Sequence, residues 1–248
     1  MENLRIYHLY RSILTVSSLV IFTIFWSILA FILGIFDRRG VLVHRCAVWW
    51  SRCLFFITGV QVEVHGEKHL RDNAWYVIIV NHESALDIPA LFLALRQLPL
   101  VMMAKKELFR IPLFGWVLAL GGYVPIDRKN RQNAIVSLDK AAVRIPKMGM
   151  SVIVFPEGTR TVTGELKPFK KGGFVFALKS GMPLLPVTIL GSRDLAPRKT
   201  KTVLPGKIQV KIDPPIYPDG NDIAMKDELL EKMYKIIQRN KRDYSNPE

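Results

Sequence analysis

Two short segments of this sequence carry side chains that could move a proton and grip a phosphate. In "NHESALDIPA", Asp87 follows His82 by five residues. A carboxylate at that distance, across a strand-to-helix turn, can hold one ring nitrogen and leave the other to accept a proton. Free imidazole titrates near pH 6.5, so it can act as a base close to neutrality. Alone, H-x4-D is more often a polar turn residue ahead of a helix-start charge. The second segment is "FPEGTR" at 155–160. Pro156 and Gly158 suit a tight turn, Glu157 supplies a carboxylate, and Arg160 offers a planar guanidinium for bidentate phosphate binding. The two segments lie in that order, about seventy residues apart, and each closes an apolar run. That conjunction argues against coincidence.

The elements that must position them are short and β-rich. Segments 62–66, 75–80, 99–104, 123–127, 151–155, 183–190 and 208–213 are rich in Val and Ile and bounded by Gly, Pro or Asn, which predicts seven strands. Helices are expected between several of them. One starts near Ser84, whose spacing to Asp87 resembles a capping box. Others cover 131–147, 172–181 and about 222–240, with "DYSNPE" left as a frayed tail. Alternating strands and helices predict an α/β domain with a central, mixed, mostly buried sheet flanked by helices. The run at 75–80 has no polar alternation and should be buried on both faces.

Residues 12–36 contain no charge and are long enough for about one bilayer crossing. The stretch exceeds the core of a cleaved signal, and "DRRG" rather than a cleavage pattern follows it. A second helix-like stretch, 41–59, mixes Trp and Phe with Arg45 and Arg52, as interfacial helices do. Together they predict a two-helix membrane anchor over 1–58 and a catalytic domain over 59–248. A true span and a shallow or re-entrant hairpin both fit. Basic flanks on both sides favour the hairpin.

With 35 Lys and Arg against 21 Asp and Glu, the net charge is +14. Such a surface seeks polyanions, and the long apolar run favours lipid headgroups or phosphorylated substrates over nucleic acid. Cys46 and Cys53 are too few for a disulfide framework and match no metal spacing. His8, His44, His65 and His69 lack ligand-spaced partners and are expected to be structural or exposed; no metal site is visible.

These blocks resemble the glycerolipid acyltransferases typified by 1-acyl-glycerol-3-phosphate acyltransferase. "NHESALD" matches the N-H-x4-D block, "KKELFRIPLFGW" at 105–116 the segment before the acceptor site, and "GGYVPIDR" at 121–128 the G-x4-D-R block. "FPEGTR" matches the glycerol-phosphate block, and "MPLLPV" at 182–187 the last, Pro-containing one. The likeness covers roughly 60–215, with Thr161 where many members carry Ser. It implies that His82 deprotonates the acceptor hydroxyl, with Asp87 orienting it, for direct attack on an acyl thioester. It also implies that Glu157, Gly158, Thr159 and Arg160, with Arg128, Lys105 and Lys106, bind the acceptor phosphate or glycerol. Glu157 would orient Arg160 or a glycerol oxygen, and backbone N–H groups near Gly158 would steady charge on the thioester oxygen. No cofactor is expected beyond acyl-CoA or acyl-ACP as co-substrate. The implied setting is the cytoplasmic face of the inner membrane, among membrane phospholipids and lysophosphatidic acid.

No G-x-S-x-G elbow and no cysteine near the blocks supports an acyl-enzyme. Glycerol 3-phosphate or another lysophospholipid as acceptor, a hydrolase built on the same pair, and a basic binding module without chemistry are the competing readings. Only the enzymes account for both segments. Lys167, Lys170 and Lys171 are equally well a phosphate-steering loop or a solvated one.

Overall fold

The computed structural model describes residues 20–37, 39–127, 129–196, 203–218, 220 and 222–245. Seven strands form one sheet: β1 (Val60–His65), β2 (Val77–Val80), β3 (Leu100–Lys105), β4 (Val124–Ile126), β5 (Ser151–Val154), β6 (Leu184–Leu190) and β7 (Gly206–Ile212). Their spatial order is β1-β7-β6-β2-β5-β3-β4. Every pairing is parallel except β6 with β7, so the sheet is mixed. All residues of β2, β5 and β6 are buried. Parallel strands covered by helices on both faces need such unbroken apolar runs. Pro186 sits in a central strand, where a missing N–H is normally costly. It is tolerated because pairing with β7 begins only at Val187 and the Pro186 carbonyl still accepts from Asp213 N–H at 3.0 Å.

The helices are α1 (Val20–Phe36), α2 (Val41–Thr58), α3 (Asp87–Ala94), α4 (Phe114–Leu120), α5 (Arg131–Met148), α6 (Gly172–Ser180), α7 (Ser192–Leu195) and α8 (Lys226–Ser245). The expected tail from Asp243 to Ser245 is helical; Asn246–Glu248 lie outside the described residues. Sequence periodicity did not predict α4 or α7. Helix α4 follows Leu113, whose φ is +62°, and has no side-chain cap; α7 has four residues. Neither leaves a readable start signal.

Helices α1 and α2 form an antiparallel hairpin. Trp50 Nε1 donates to Thr23 Oγ1 at 3.1 Å, and Ala30, Val43 and Cys46 form a small core with Trp26, Leu29 and Leu33. At the turn, Asp37 accepts from Leu42 N–H at 2.5 Å and satisfies the start of α2. Helix α2 is long and apolar enough to cross a membrane, yet 44% of it is buried against the rest of the protein. Val48, Leu54 and Phe55 belong to the main core. His44 is buried, and its Nδ1 accepts from Leu100 N–H at 3.3 Å, tying α2 to the start of β3. By packing, α2 therefore belongs with the α/β domain that the sequence division placed after residue 58.

The outer face of this region is apolar. Ile21, Phe25, Ile35 and Phe36 of α1, Trp49 and Phe56 of α2, and Ile111 and Trp116 around α4 are exposed. Helices α1 and α4 meet through the Phe31 and Trp116 rings, 5.7 Å apart. Exposed apolar side chains in this number, aromatic ones among them, suit a lipid surface. Replacing Phe25 and Trp116 together by Glu should lower partition onto anionic vesicles at least about tenfold with little change in melting temperature. Unchanged co-sedimentation would show that this face does not meet lipid.

Candidate active site

The sheet order decides where the chemical groups lie. Strands β6, β2, β5 and β3 are consecutive and mutually parallel. Their C-terminal ends therefore lie along one edge of the sheet, where ligands of open α/β sheets bind. The segments leaving β6, β2 and β5 carry Ser192, His82 and Arg160 respectively, and Lys105 is the last residue of β3.

His82 is the second residue after β2. Its Nδ1 lies 2.8 Å from Asp87 Oδ2, so Nδ1–H donates and Nε2 is the nitrogen left to accept a proton. The ring stacks on Phe155, with centroids 4.0 Å apart and planes 25° from parallel. Asp87 is the first residue of α3 and is fully buried. Besides His82, its carboxylate accepts from Glu83 N–H (2.7 Å), Ser84 N–H (2.8 Å) and Ser192 Oγ (2.5 Å). The expected capping box is half realised. Asp87 reaches back to Ser84 N–H, but the Ser84 hydroxyl accepts from Leu86 N–H at 3.3 Å. Asn81 closes the strand end onto its neighbour: its side chain donates to Ile189 carbonyl and accepts from Ile189 N–H, both at 2.8 Å.

The 155–160 turn packs against this loop. Gly158 has φ +73°, a left-handed backbone conformation that favours glycine. Its N–H donates to the Phe155 carbonyl at 3.0 Å. That N–H builds the turn, so the oxyanion role expected near Gly158 cannot rest on it. Glu157 also departs from expectation. Its two oxygens accept from the backbone N–H groups of His82 (2.8 Å) and Lys167 (3.1 Å), and the residue is buried. Burial pushes its carboxyl above the ordinary range, against the opposing pull of those two donors. Glu157 therefore braces the His82 backbone instead of orienting Arg160 or a glycerol oxygen, the role that the family resemblance implies. Thr161 N–H adds a third tie, to the His82 carbonyl at 2.9 Å.

A cleft of about 730 Å³ runs from this corner into the hairpin. Trp26, Ala30 and Cys46 from the hairpin, Phe92 from α3 and Met103 from β3 line its apolar part; His82, Gly158, Thr159, Arg160, Lys105 and Lys170 line the other. Lys170, which could equally have been solvated, thus joins the basic wall. Lys167 Nζ bonds Thr159 Oγ1 (3.3 Å) and the Arg160 carbonyl (3.0 Å), propping the turn from behind. Lys106 points elsewhere, to Asp127 at 3.5 Å, and is half exposed. Arg128 lies outside the described residues. His69, expected to be structural or exposed, bonds the Ile212 carbonyl at 2.9 Å. Among the described residues no cluster of three or more His, Cys, Asp or Glu could hold a metal.

If Glu157 is a brace, Glu157→Gln should act on the base and not on binding. An amide offers one acceptor where two N–H donors need satisfying. We expect kcat to fall about tenfold with the KM for the phosphorylated acceptor within about twofold. A raised acceptor KM at unchanged kcat would return Glu157 to the substrate.

The sequence and fold match known proteins. The family model described as Acyltransferase matches residues 61–190. A 1-acyl-sn-glycerol-3-phosphate acyltransferase of Limnanthes alba is 34% identical over 216 residues, covering 87% of this chain and 72% of that protein. Its counterpart in Saccharomyces cerevisiae is 34% identical over 233 residues, covering 91% and 74%. Among solved structures, the 1-acyl-sn-glycerophosphate (LPA) acyltransferase PlsC of Thermotoga maritima superposes with a TM-score of 0.79 at 27% identity, over 95% of each chain. A sheet edge that gathers the histidine, its carboxylate and the basic turn, matched by relatives over most of their length, leads to one conclusion: this chain belongs to the acyltransferase family, with the 1-acyl-sn-glycerol-3-phosphate acyltransferases.

Proposed function

We propose that this protein transfers a fatty acyl group from an acyl thioester to the sn-2 hydroxyl of 1-acyl-glycerol 3-phosphate, making phosphatidic acid. The observation that carries the reading is a single cleft with a histidine–carboxylate pair and three cationic side chains at one end and an apolar bore at the other. A phosphorylated lipid with one long chain has that same polarity. Arg160 and Lys170 take the phosphate, with Lys105 lining the same cleft, and the apolar bore takes a hydrocarbon chain.

In the chemical step His82 Nε2 removes the proton of the acceptor hydroxyl as its oxygen forms a bond to the thioester carbonyl carbon. Asp87 holds the imidazolium that results. Collapse of the tetrahedral adduct breaks the C–S bond, and the thiolate leaves with the proton from His82. No acyl-enzyme and no cofactor enters, only the co-substrate thioester. Acyl-CoA and acyl-ACP both carry an acidic phosphopantetheine arm, which suits the net charge of +14. We place the cleft on the cytoplasmic side of the membrane, with the hairpin seated in one leaflet. A hydrolase acting on the same thioester would use the same pair with water as the acceptor, and the products separate the two.

One assay tests the proposal: purified protein with acyl thioester and lysophosphatidic acid, following thiol release and phosphatidic acid together. Equal yields are expected, and thiol without lipid product would indicate a hydrolase. His82→Ala should lower transfer by about 10²- to 10⁴-fold; a variant keeping a tenth of the wild-type rate contradicts the base assignment. Arg160→Ala should raise the acceptor KM about tenfold or more while sparing the donor KM. The reverse pattern would move Arg160 to the donor site.

A further inference from the structure

We propose that Ser192 is a positioning residue for this reaction, its hydroxyl holding the Asp87 carboxylate that orients His82. The inference rests on the acyl-transfer reading above. Among the described residues, three donors meet Asp87 Oδ2: the His82 ring and the backbone N–H groups of Glu83 and Ser84. Oδ1 is met by Ser192 Oγ, at 2.5 Å. Both residues are fully buried.

A carboxylate gripped at one oxygen can still turn about Cβ–Cγ, since that torsion is broad. Turning would move Oδ2 away from Nδ1 and release the imidazole. A second donor on the other oxygen removes this freedom and compensates a buried charge that water does not reach. The Oδ2 donors all come from the 82–84 loop itself, so none of them can fix that loop to the sheet. Ser192 comes from elsewhere, at the end of β6 beside β2.

The chain is built to deliver it. Gly191 has φ +80°, which turns β6 abruptly into α7, and a Cβ there would stand 3.0 Å from both the Lys207 carbonyl oxygen and Tyr244 Oη. A second tie runs the same way, from Ser84 Oγ to the Ala196 carbonyl at 3.4 Å. Helix α7 is thus docked on the catalytic loop at both its ends.

The experiment begins with wild-type transfer of acyl chains to lysophosphatidic acid. Its absence would refute the functional reading, whereas the Ser192 variants test the positioning role alone. Ser192→Ala should lower kcat about 10- to 30-fold, with both KM values within about twofold. In the Asp87→Asn background the same change should cost less than about twofold, because the group it acts through is already lost. Ser192→Ala keeping more than half the wild-type kcat would overturn the proposal. So would an equal factor in both backgrounds, which would mark Ser192 as structural only. Should the Ala variant melt below assay temperature, Ser192→Cys replaces it, with similar volume and a far weaker donor. It is read by the same comparison: loss confined to the Asp87 background supports the role, and loss equal in both removes it.

Discussion

The Asp87 carboxylate is the constraint around which the rest is arranged. It is fully buried, and a buried charge without partners costs several kcal/mol. Four donors compensate it, and they converge from two parts of the chain: the loop after β2, which supplies the His82 ring and two backbone N–H groups, and the start of α7. Each donor is in place only if its own element is in place. Holding the charge and aligning the His82 ring are therefore the same structural requirement.

The parallel run β6-β2-β5-β3 meets that requirement at little cost in chain length. Adjacent parallel strands end on the same edge, so loops far apart in sequence become neighbours without long connections. The turn at 155–160 then does two jobs with different faces. Its buried face carries Glu157, which brackets His82 and Lys167 backbone donors, while its open face carries Thr159 and Arg160 into the cleft. A carboxylate and a guanidinium three residues apart are thereby kept from neutralising one another.

The N-terminal hairpin contributes more than apolar surface. One side of α2 completes the main core and, through His44, holds the start of β3. Trp26, Ala30 and Cys46 wall the apolar part of the cleft. The same two helices thus line the cleft with some side chains and expose apolar ones with others.

Much of this was legible in the residues. Seven strands follow from Val- and Ile-rich runs closed by Gly, Pro or Asn, because strand formation and burial depend on local composition. His82, Asp87 and Arg160 are legible because chemistry restricts the residue types that can do it. What the sequence could not determine is partnership. Nothing in "FPEGTR" says that Glu157 turns inward to backbone N–H groups while Arg160 turns outward. Nothing in "KPFKK" separates Lys170 on the cleft wall from Lys167 behind it. Ser192, 105 residues from Asp87, is one small polar residue among many until β6 is laid beside β2. Residue type is a local property, whereas a hydrogen bond between distant segments depends on strand order, and strand order is set by the packing of the whole sheet.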